Sequence, residues 1–348
     1  SGPIRHTVKH CGEFRCREPT SVPYRTDPEF AYARLNMPRI APPVRALALV
    51  ALCGAVLAGC VPAASETEAA ETVAAPLGLP LVDGVTVQAG LVYASPEGTE
   101  LALDACLPAS DGTAARPAII FIHGGSWYRG ARDEALYRET CEWLAGAGYP
   151  TFSISYRLSP AAQFPAATDD VRAALAWLRE PAQVDAYGID PDRIALFGSS
   201  AGGTLAAWVG TAGEGAWSAP DRVAAVVELS APIDLSGVAE DARLTQRRLD
   251  YLGCESDDDC AVAALASPIT AIDASDPPVF IVHSEDEFVP DEQGELFAAA
   301  LREAGVEVEL LVVPGDRHAI MLLDADISAR ILDFLARTVD GEAILAAD

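Results

Sequence analysis

The 348-residue chain carries 24 Lys and Arg against 51 Asp and Glu, a formal net charge of −27 at pH 7. Residues 1–59 hold Lys9 and seven arginines against four carboxylates, which leaves −31 on residues 60–348, where no lysine occurs. A field of that sign repels nucleic acid and anionic lipid surfaces and excludes polyanion binding as the chain's business.

The first stretch in chain order reads as an address. Residues 37–45 carry positive charge, Ala46 to Leu57 form an apolar run, and Leu57-Ala-Gly-Cys60 supplies small residues at a cleavage point. These are the parts of a secretory signal peptide. The run is shorter than the roughly 20 residues that a spanning helix needs. Its ending resembles the lipobox of bacterial lipoproteins, which implies that Cys60 is lipidated and becomes the new N-terminus. On this reading residues 1–36 are a non-native or upstream extension and 37–59 the leader. Residues 60–79 are a flexible acidic tether without a core-forming pattern, and 80–348 are the folded domain, a length that suits one α/β core. The expected location is the outer side of a bacterial membrane, reached by export and held by lipid.

Predicted strands at 90–94, 99–107 and 117–122 come next, the third ending in His123-Gly124-Gly125-Ser126-Trp127. A glycine turn at a strand end lets consecutive N–H groups converge on one spot, so Gly125, Ser126 and, from further along, Ala201 are the candidate oxyanion donors. Trp127 reads equally as pocket lining or core packing. A helix at 133–147 and a strand at 150–155 lead to Tyr156–Leu178. There Pro160 and Pro165 shape a loop, and Asp169 or Asp170 heads a helix at 166–180, a structural use of carboxylates at a helix start.

The strand at 193–197 then runs into Gly198-Ser199-Ser200-Ala201-Gly202 and a helix at 201–212. A G-x-S-x-G turn between strand and helix projects its serine hydroxyl out of the sheet while the glycines leave room for the turn. Ser200 is the candidate nucleophile. After a strand at 223–229, residues 231–275 read as a small lid or pocket wall. A strand at 278–283, a helix at 291–304, a strand at 307–313 and a helix at 326–338 close the chain. The alternation gives an α/β fold with a mostly parallel sheet of about eight strands, helices on both faces and an antiparallel start.

A serine nucleophile needs a base, and the chain has five histidines. His6 and His10 precede the domain, His123 belongs to the glycine turn and His283 ends a buried-looking strand. His318, in a turn-rich loop after the last strand, is left as the base. The third member comes from the acidic loop Ser284–Asp291. The spacing D-x-x-V-P favours Asp286, with Glu285, Glu287 and Asp291 in competition. The order is then Ser200, Asp286, His318, that of the α/β-hydrolase fold.

The chain here resembles the α/β-hydrolase superfamily, and within it the carboxylesterases and lipases related to the hormone-sensitive lipase group. The likeness spans about Leu91 to Leu335. It rests on HGGSW at 123–127, YRLSPAAQFPAATDDVRAALAWL at 156–178, GSSAGG at 198–203, HSEDEFVP at 283–290 and GDRH at 315–318. Ser126 and Ser199 stand where that group usually has Gly and Asp, and no long helical cap precedes the first strand. Both features are more similar to the smaller bacterial feruloyl and acetyl esterases. The resemblance implies oxyanion donation by Gly125, Ser126 and Ala201, a small ester as substrate, and neither metal nor organic cofactor. The alternatives are an amidase or peptidase on the same fold, or a noncatalytic binding protein that keeps it.

Four cysteines fall in the domain, and an oxidising compartment permits disulfides. Cys254 and Cys260 bracket a short polar loop and are expected to pair. Cys106 and Cys141 either pair with each other or stay buried as thiols. No histidine lies near them in the sequence to favour zinc.

Overall fold

The computed structural model describes residues 77–81, 83–109, 115–237 and 242–340. The leader, Cys60, residues 1–36 and the tether up to residue 76 lie outside the described residues. The described residues begin at Leu77, close to the expected start at 80. The N–H groups of Leu77, Gly78 and Leu79 all donate to the Glu139 carboxylate, at 2.8, 2.9 and 3.1 Å.

Chain order runs β1 (Thr86–Ala94), β2 (Leu101–Leu107), β3 (Arg116–Ile122), α1 (Ala135–Gly146), β4 (Thr151–Ile154), α2 (Ala166–Leu178), α3 (Pro181–Tyr187) and β5 (Ile189–Ser199). It continues with α4 (Ala201–Thr211), β6 (Ala225–Leu229), α5 (Ala242–Leu252), α6 (Val262–Ala266), β7 (Val279–Ser284), α7 (Glu292–Ala304), β8 (Val308–Val313) and α8 (Ala325–Leu335). The eight strands make one sheet ordered β1-β2-β4-β3-β5-β6-β7-β8. β1 pairs antiparallel with β2, and β2 with β4; from β4 onward every pair is parallel. This is the α/β-hydrolase architecture.

Side chains alternate across a strand, and in β3 and β5 both faces are apolar because both are covered. Ile120, Ile122 and Leu196 join one core with Val171 and Leu175 of α2, Leu205 and Val209 of α4 and Phe297 of α7. Ile119, Phe121 and Phe197 join the opposite core with Trp143 of α1 and Ile331 and Phe334 of α8. Each such fully buried side chain contributes about 1.5–3 kcal/mol. Together they hold rigid the strand ends from which the site is built.

Three local differences from the sequence reading have physical reasons. The expected helix at 166–180 is α2, ending at Leu178, and a further short helix, α3, follows it, since Pro181 starts a new helix at a position where its missing N–H costs nothing. Gly188 then ends α3 in the left-handed conformation with φ 61°. β5 starts at Ile189, four residues early, because a register shift between Arg116 and Ala118 on β3 accommodates the Asp190-Pro191-Asp192 stretch.

Cys254 and Cys260 are bonded, joining the end of α5 to the start of α6. Cys106 and Cys141 are bonded to each other, tying β2 to α1. Asp170 is structural, as expected, but it caps no helix N–H. Its carboxylate grips the Arg157 guanidinium at 2.7 Å and accepts the Arg157 backbone N–H at 2.8 Å, while Asp169 is exposed. Trp127 is core: it is 1% exposed and stacks on Tyr251 of α5 with ring centroids 4.8 Å apart.

Candidate active site

The sharp turn at Ser200 is the product of two close backbone approaches. A Cβ on Gly202 would sit 2.2 Å from the Ile122 carbonyl oxygen, and one on Gly198 would sit 2.2 Å from that of Gly202. Only glycine fits at either place. Between them Ser200 holds φ 53° and ψ −121°, its N–H donates to the Leu229 carbonyl at 2.7 Å, and its own carbonyl accepts the N–H of Thr204 as α4 begins. Among the described residues six non-glycines have φ in the left-handed region, and five of them belong to this end of the sheet: Ser126, Trp127, Ser200, Ser230 and Ala319. Such conformations cost about 1–3 kcal/mol each and gather where function requires them.

His318 reaches Ser200 from the loop after β8. Its Nε2 lies 2.9 Å from Ser200 Oγ, and its Nδ1 lies 2.5 Å from Oε2 of Glu287. The carboxylate on the imidazole is therefore Glu287, which corrects the sequence assignment of Asp286. The backbone explains the difference. After β7 the N–H of Glu285 bonds the Val313 carbonyl and that of Asp286 bonds the Gly315 carbonyl, so the loop runs alongside the end of β8 with both side chains exposed. Glu287 folds back instead. Its Oε1 accepts the Ser284 N–H at 3.0 Å and the Ser230 hydroxyl at 2.8 Å, and its side chain is fully buried. Ser230 in turn accepts the Ala319 N–H at 2.8 Å, fixing the residue that follows the histidine.

Burial by itself pushes the Glu287 carboxyl upward, but the imidazoles of His283 and His318 and the Ser230 hydroxyl hold it down to about 2. It is an anion across the neutral range. A serine hydroxyl bonded to an imidazole that is oriented by a buried carboxylate is equipped for acyl transfer.

Comparison with known proteins agrees with this geometry. The BD-FAE family matches residues 103–301. The chain belongs to that family. It is 33% identical over 217 residues to "Esterase LipQ" of Mycobacterium tuberculosis, a match covering 59% of this chain and 51% of that one. The chain thus spans about half the length of these curated relatives, "Esterase LipQ" and "Esterase LipC" of the same organism. Among solved structures, a truncated carbohydrate esterase from gut microbiota superposes with a TM-score of 0.62 at 27% identity, covering 74% of this chain and 98% of that one. Thermogutta terrifontis esterase 2 phosphonylated by sarin superposes with a TM-score of 0.60 at 26% identity, covering 77% and 99%.

In this BD-FAE chain Gly125 and Ser126 line a cavity of about 770 Å³ that opens over Ser200 and His318. Ala201 opens α4 beside the nucleophile, where the helix presents unpaired N–H groups and the positive end of its dipole. The three expected oxyanion residues therefore come from the two elements that meet at Ser200. Gly125 has φ 119°, and its carbonyl accepts the N–H groups of both Tyr128 and Arg129, which turns the loop back on itself. His123 is fully buried, stacked on Tyr156 at 4.3 Å, with Nδ1 donating to the Gly124 carbonyl at 2.8 Å. Burial pulls its pKa down to about 4, so it braces the turn as a neutral ring.

The stretch 231–275, read as a lid or wall, supplies Arg243, Leu244 and Arg247 to the cavity through α5. Arg247 stacks over Tyr128 across the mouth, 3.5 Å from the ring centroid. Ser230 and Glu228 escaped the sequence reading, because a serine and a glutamate at a strand end carry no motif. Among the described residues no group of His, Cys, Asp or Glu has the arrangement of a metal site, and no helix is long and apolar enough to cross a membrane.

Proposed function

We propose that the protein is a serine carboxylesterase, and the observation that carries this reading is the hydrogen-bonded chain Ser200–His318–Glu287 at the mouth of the cavity. Ser200 Oγ attacks the ester carbonyl while His318 Nε2 takes its proton, and Glu287 keeps the Nδ1–H tautomer and stabilises the cation that forms. The N–H groups of Gly125, Ser126 and Ala201 receive the developing oxyanion, a contribution of roughly a hundred- to thousandfold per well-placed donor. His318 returns the proton to the leaving alcohol and then activates water against the acyl-enzyme.

The mouth, with Tyr128, Arg129, Tyr137 and Arg247 on its walls, suits a polar alcohol part that stacks and accepts hydrogen bonds. The carbohydrate esterase among the structural relatives is consistent with that preference. The decisive experiment compares Ser200→Ala, Glu287→Gln and Asp286→Asn on aryl and sugar esters, with fluorophosphonate labelling of each. Ser200→Ala should lose turnover and label. Glu287→Gln should lose about 10⁴-fold in kcat, as a triad does when its acid no longer sets the tautomer, and Asp286→Asn should stay near the parent. Parent-like activity in Ser200→Ala would end the proposal.

The export reading joins this function. The leader pattern and Cys60 support a lipid-anchored enzyme on the outer side of a membrane, and two disulfides suit an oxidising compartment. Cys60→Ala should release the protein from the membrane fraction; unchanged partitioning would refute the anchor.

A further inference from the structure

The triad does not end at Glu287. His283, the penultimate residue of β7, has no exposed side-chain surface, and its Nδ1 lies 3.1 Å from Oε1 of Glu287, the oxygen turned away from His318. Its Nε2 lies 3.7 Å from Oε1 of Glu228 on β6, a side chain equally buried. The fold is shaped to hold this ring: a Cβ on Gly294 of α7 would come 2.6 Å from His283 Cδ2. The charged groups facing the imidazole are Glu228 from β6 and Glu287 from the loop after β7, with His318 beyond the latter. α7 meets the ring through the uncharged Gly294.

A buried carboxylate facing one imidazole is a poor spectator. Low dielectric raises its proton affinity, and when His318 becomes a cation in the transition state the proton is drawn toward it. A second imidazole on the far oxygen changes this, provided that it carries a positive charge. We propose that His283 is a positioning residue, a buried imidazolium that clamps Glu287 from behind, keeps it ionised, and so leaves the catalytic proton on His318. Burial alone would lower the pKa of His283, yet the two flanking carboxylates raise it to about 9, which keeps it charged through the neutral range. Glu228 is pushed upward by burial and pulled back by His283 and by the Ala231 N–H that it accepts at 2.9 Å. In the transition state the signs alternate along His283, Glu287 and His318, so that the carboxylate lies between two cations.

The inference rests on the esterase reading only for its kinetic consequence; the charge of His283 is measurable without turnover. The chain has five histidines, so side-chain nitrogen NMR on uniformly labelled protein, with the His283 ring nitrogens assigned by through-bond correlation to its sequentially assigned backbone, reads the protonation state of the ring. The expected result is an imidazolium signature at pH 7.5 that titrates only at alkaline pH. A neutral imidazole at that pH would overturn the proposal whatever the enzyme hydrolyses.

In kinetics, His283→Gln should move the acid limb of the kcat/KM profile upward by about one pH unit, a tenfold change in a protonation constant, with KM little altered. A correctly folded variant whose pH profile superimposes on the parent would also overturn it. Should His283→Gln fail to fold, Glu228→Gln supplies the same test. It removes the outer carboxylate, so the His283 titration should move to lower pH, and an unmoved titration would count against the clamp.

Discussion

Asp286 and Glu287 are adjacent carboxylates with opposite fates, and no property of either residue alone separates them. The separation comes from the backbone, whose bonds to Val313 and Gly315 turn positions 285 and 286 outward and leave 287 to fold under the imidazole. Ser200 and His318 were legible in the sequence because each sits in a local pattern, a glycine-flanked elbow and a turn-rich loop after the last strand. The acid was not, since the spacing D-x-x-V-P counts residues and says nothing of the loop that β8 imposes. Buried titrations at this scale set a pH window for stability. Glu287, with its pKa held down to about 2 against 4.5 for a free carboxyl, contributes stability above pH 4.5 that is lost as pH falls toward 2. His283, raised from 6.5 to about 9, contributes fully below pH 6.5 and loses its contribution as pH rises through about 9. Calorimetric Tm should therefore decline on both sides, between about pH 6.5 and 9 and again below pH 4.5. His283→Gln should flatten the alkaline decline and also weaken the acid one, since His283 is among the groups that hold Glu287 down, and an alkaline slope unchanged in that variant would contradict the assignment.

At the scale of elements, the pattern of alternating strands and helices was readable because both faces of β3 and β5 are covered and their sequences are continuously apolar. The boundaries at Pro181 and Ile189 were less so, since a proline that starts α3 and a bulge that extends β5 both look like interruptions in a linear reading. The disulfides show a different relation between sequence and element. Cys254 and Cys260 were pairable by proximity, whereas the bond from Cys106 to Cys141 depends on α1 packing over β2. Their separations of 35 and 6 residues predict unequal contributions, about 3–4 kcal/mol for the first and about 2 kcal/mol for the second on loop-closure entropy. Cys106→Ala with Cys141→Ala should lower Tm more than the other double variant while leaving KM alone. Removing the Cys254–Cys260 bond should cost less Tm but raise KM, because it loosens α5, which carries Arg243, Leu244 and Arg247 into the cavity wall. Equal Tm losses, or a KM effect confined to the first pair, would show that this division of labour is wrong.

The molecule as a whole carries its charge unevenly with respect to the site. Residues 60–348 bear a net −31, yet Arg129, Arg243 and Arg247 lie on the walls of one cavity, where Glu134 is the only acidic side chain among the described residues. An approaching ester bearing a carboxylate in its alcohol part meets two fields of opposite sign and different range. The repulsion comes from charges spread over the whole surface and acts across tens of ångströms at low salt, where the screening length is about 30 Å at 0.01 M. The attraction comes from a few guanidinium groups within contact distance, and it survives at 0.15 M, where screening sets in beyond about 8 Å. Raising the salt from the first concentration to the second should therefore remove the long-range repulsion first. The kcat/KM of an anionic ester should rise across that range, while that of a neutral ester of the same shape stays flat. A fall for the anionic ester would mean that the arginines at the mouth already govern its approach from a distance, and that the net charge of the chain has little bearing on which esters reach Ser200.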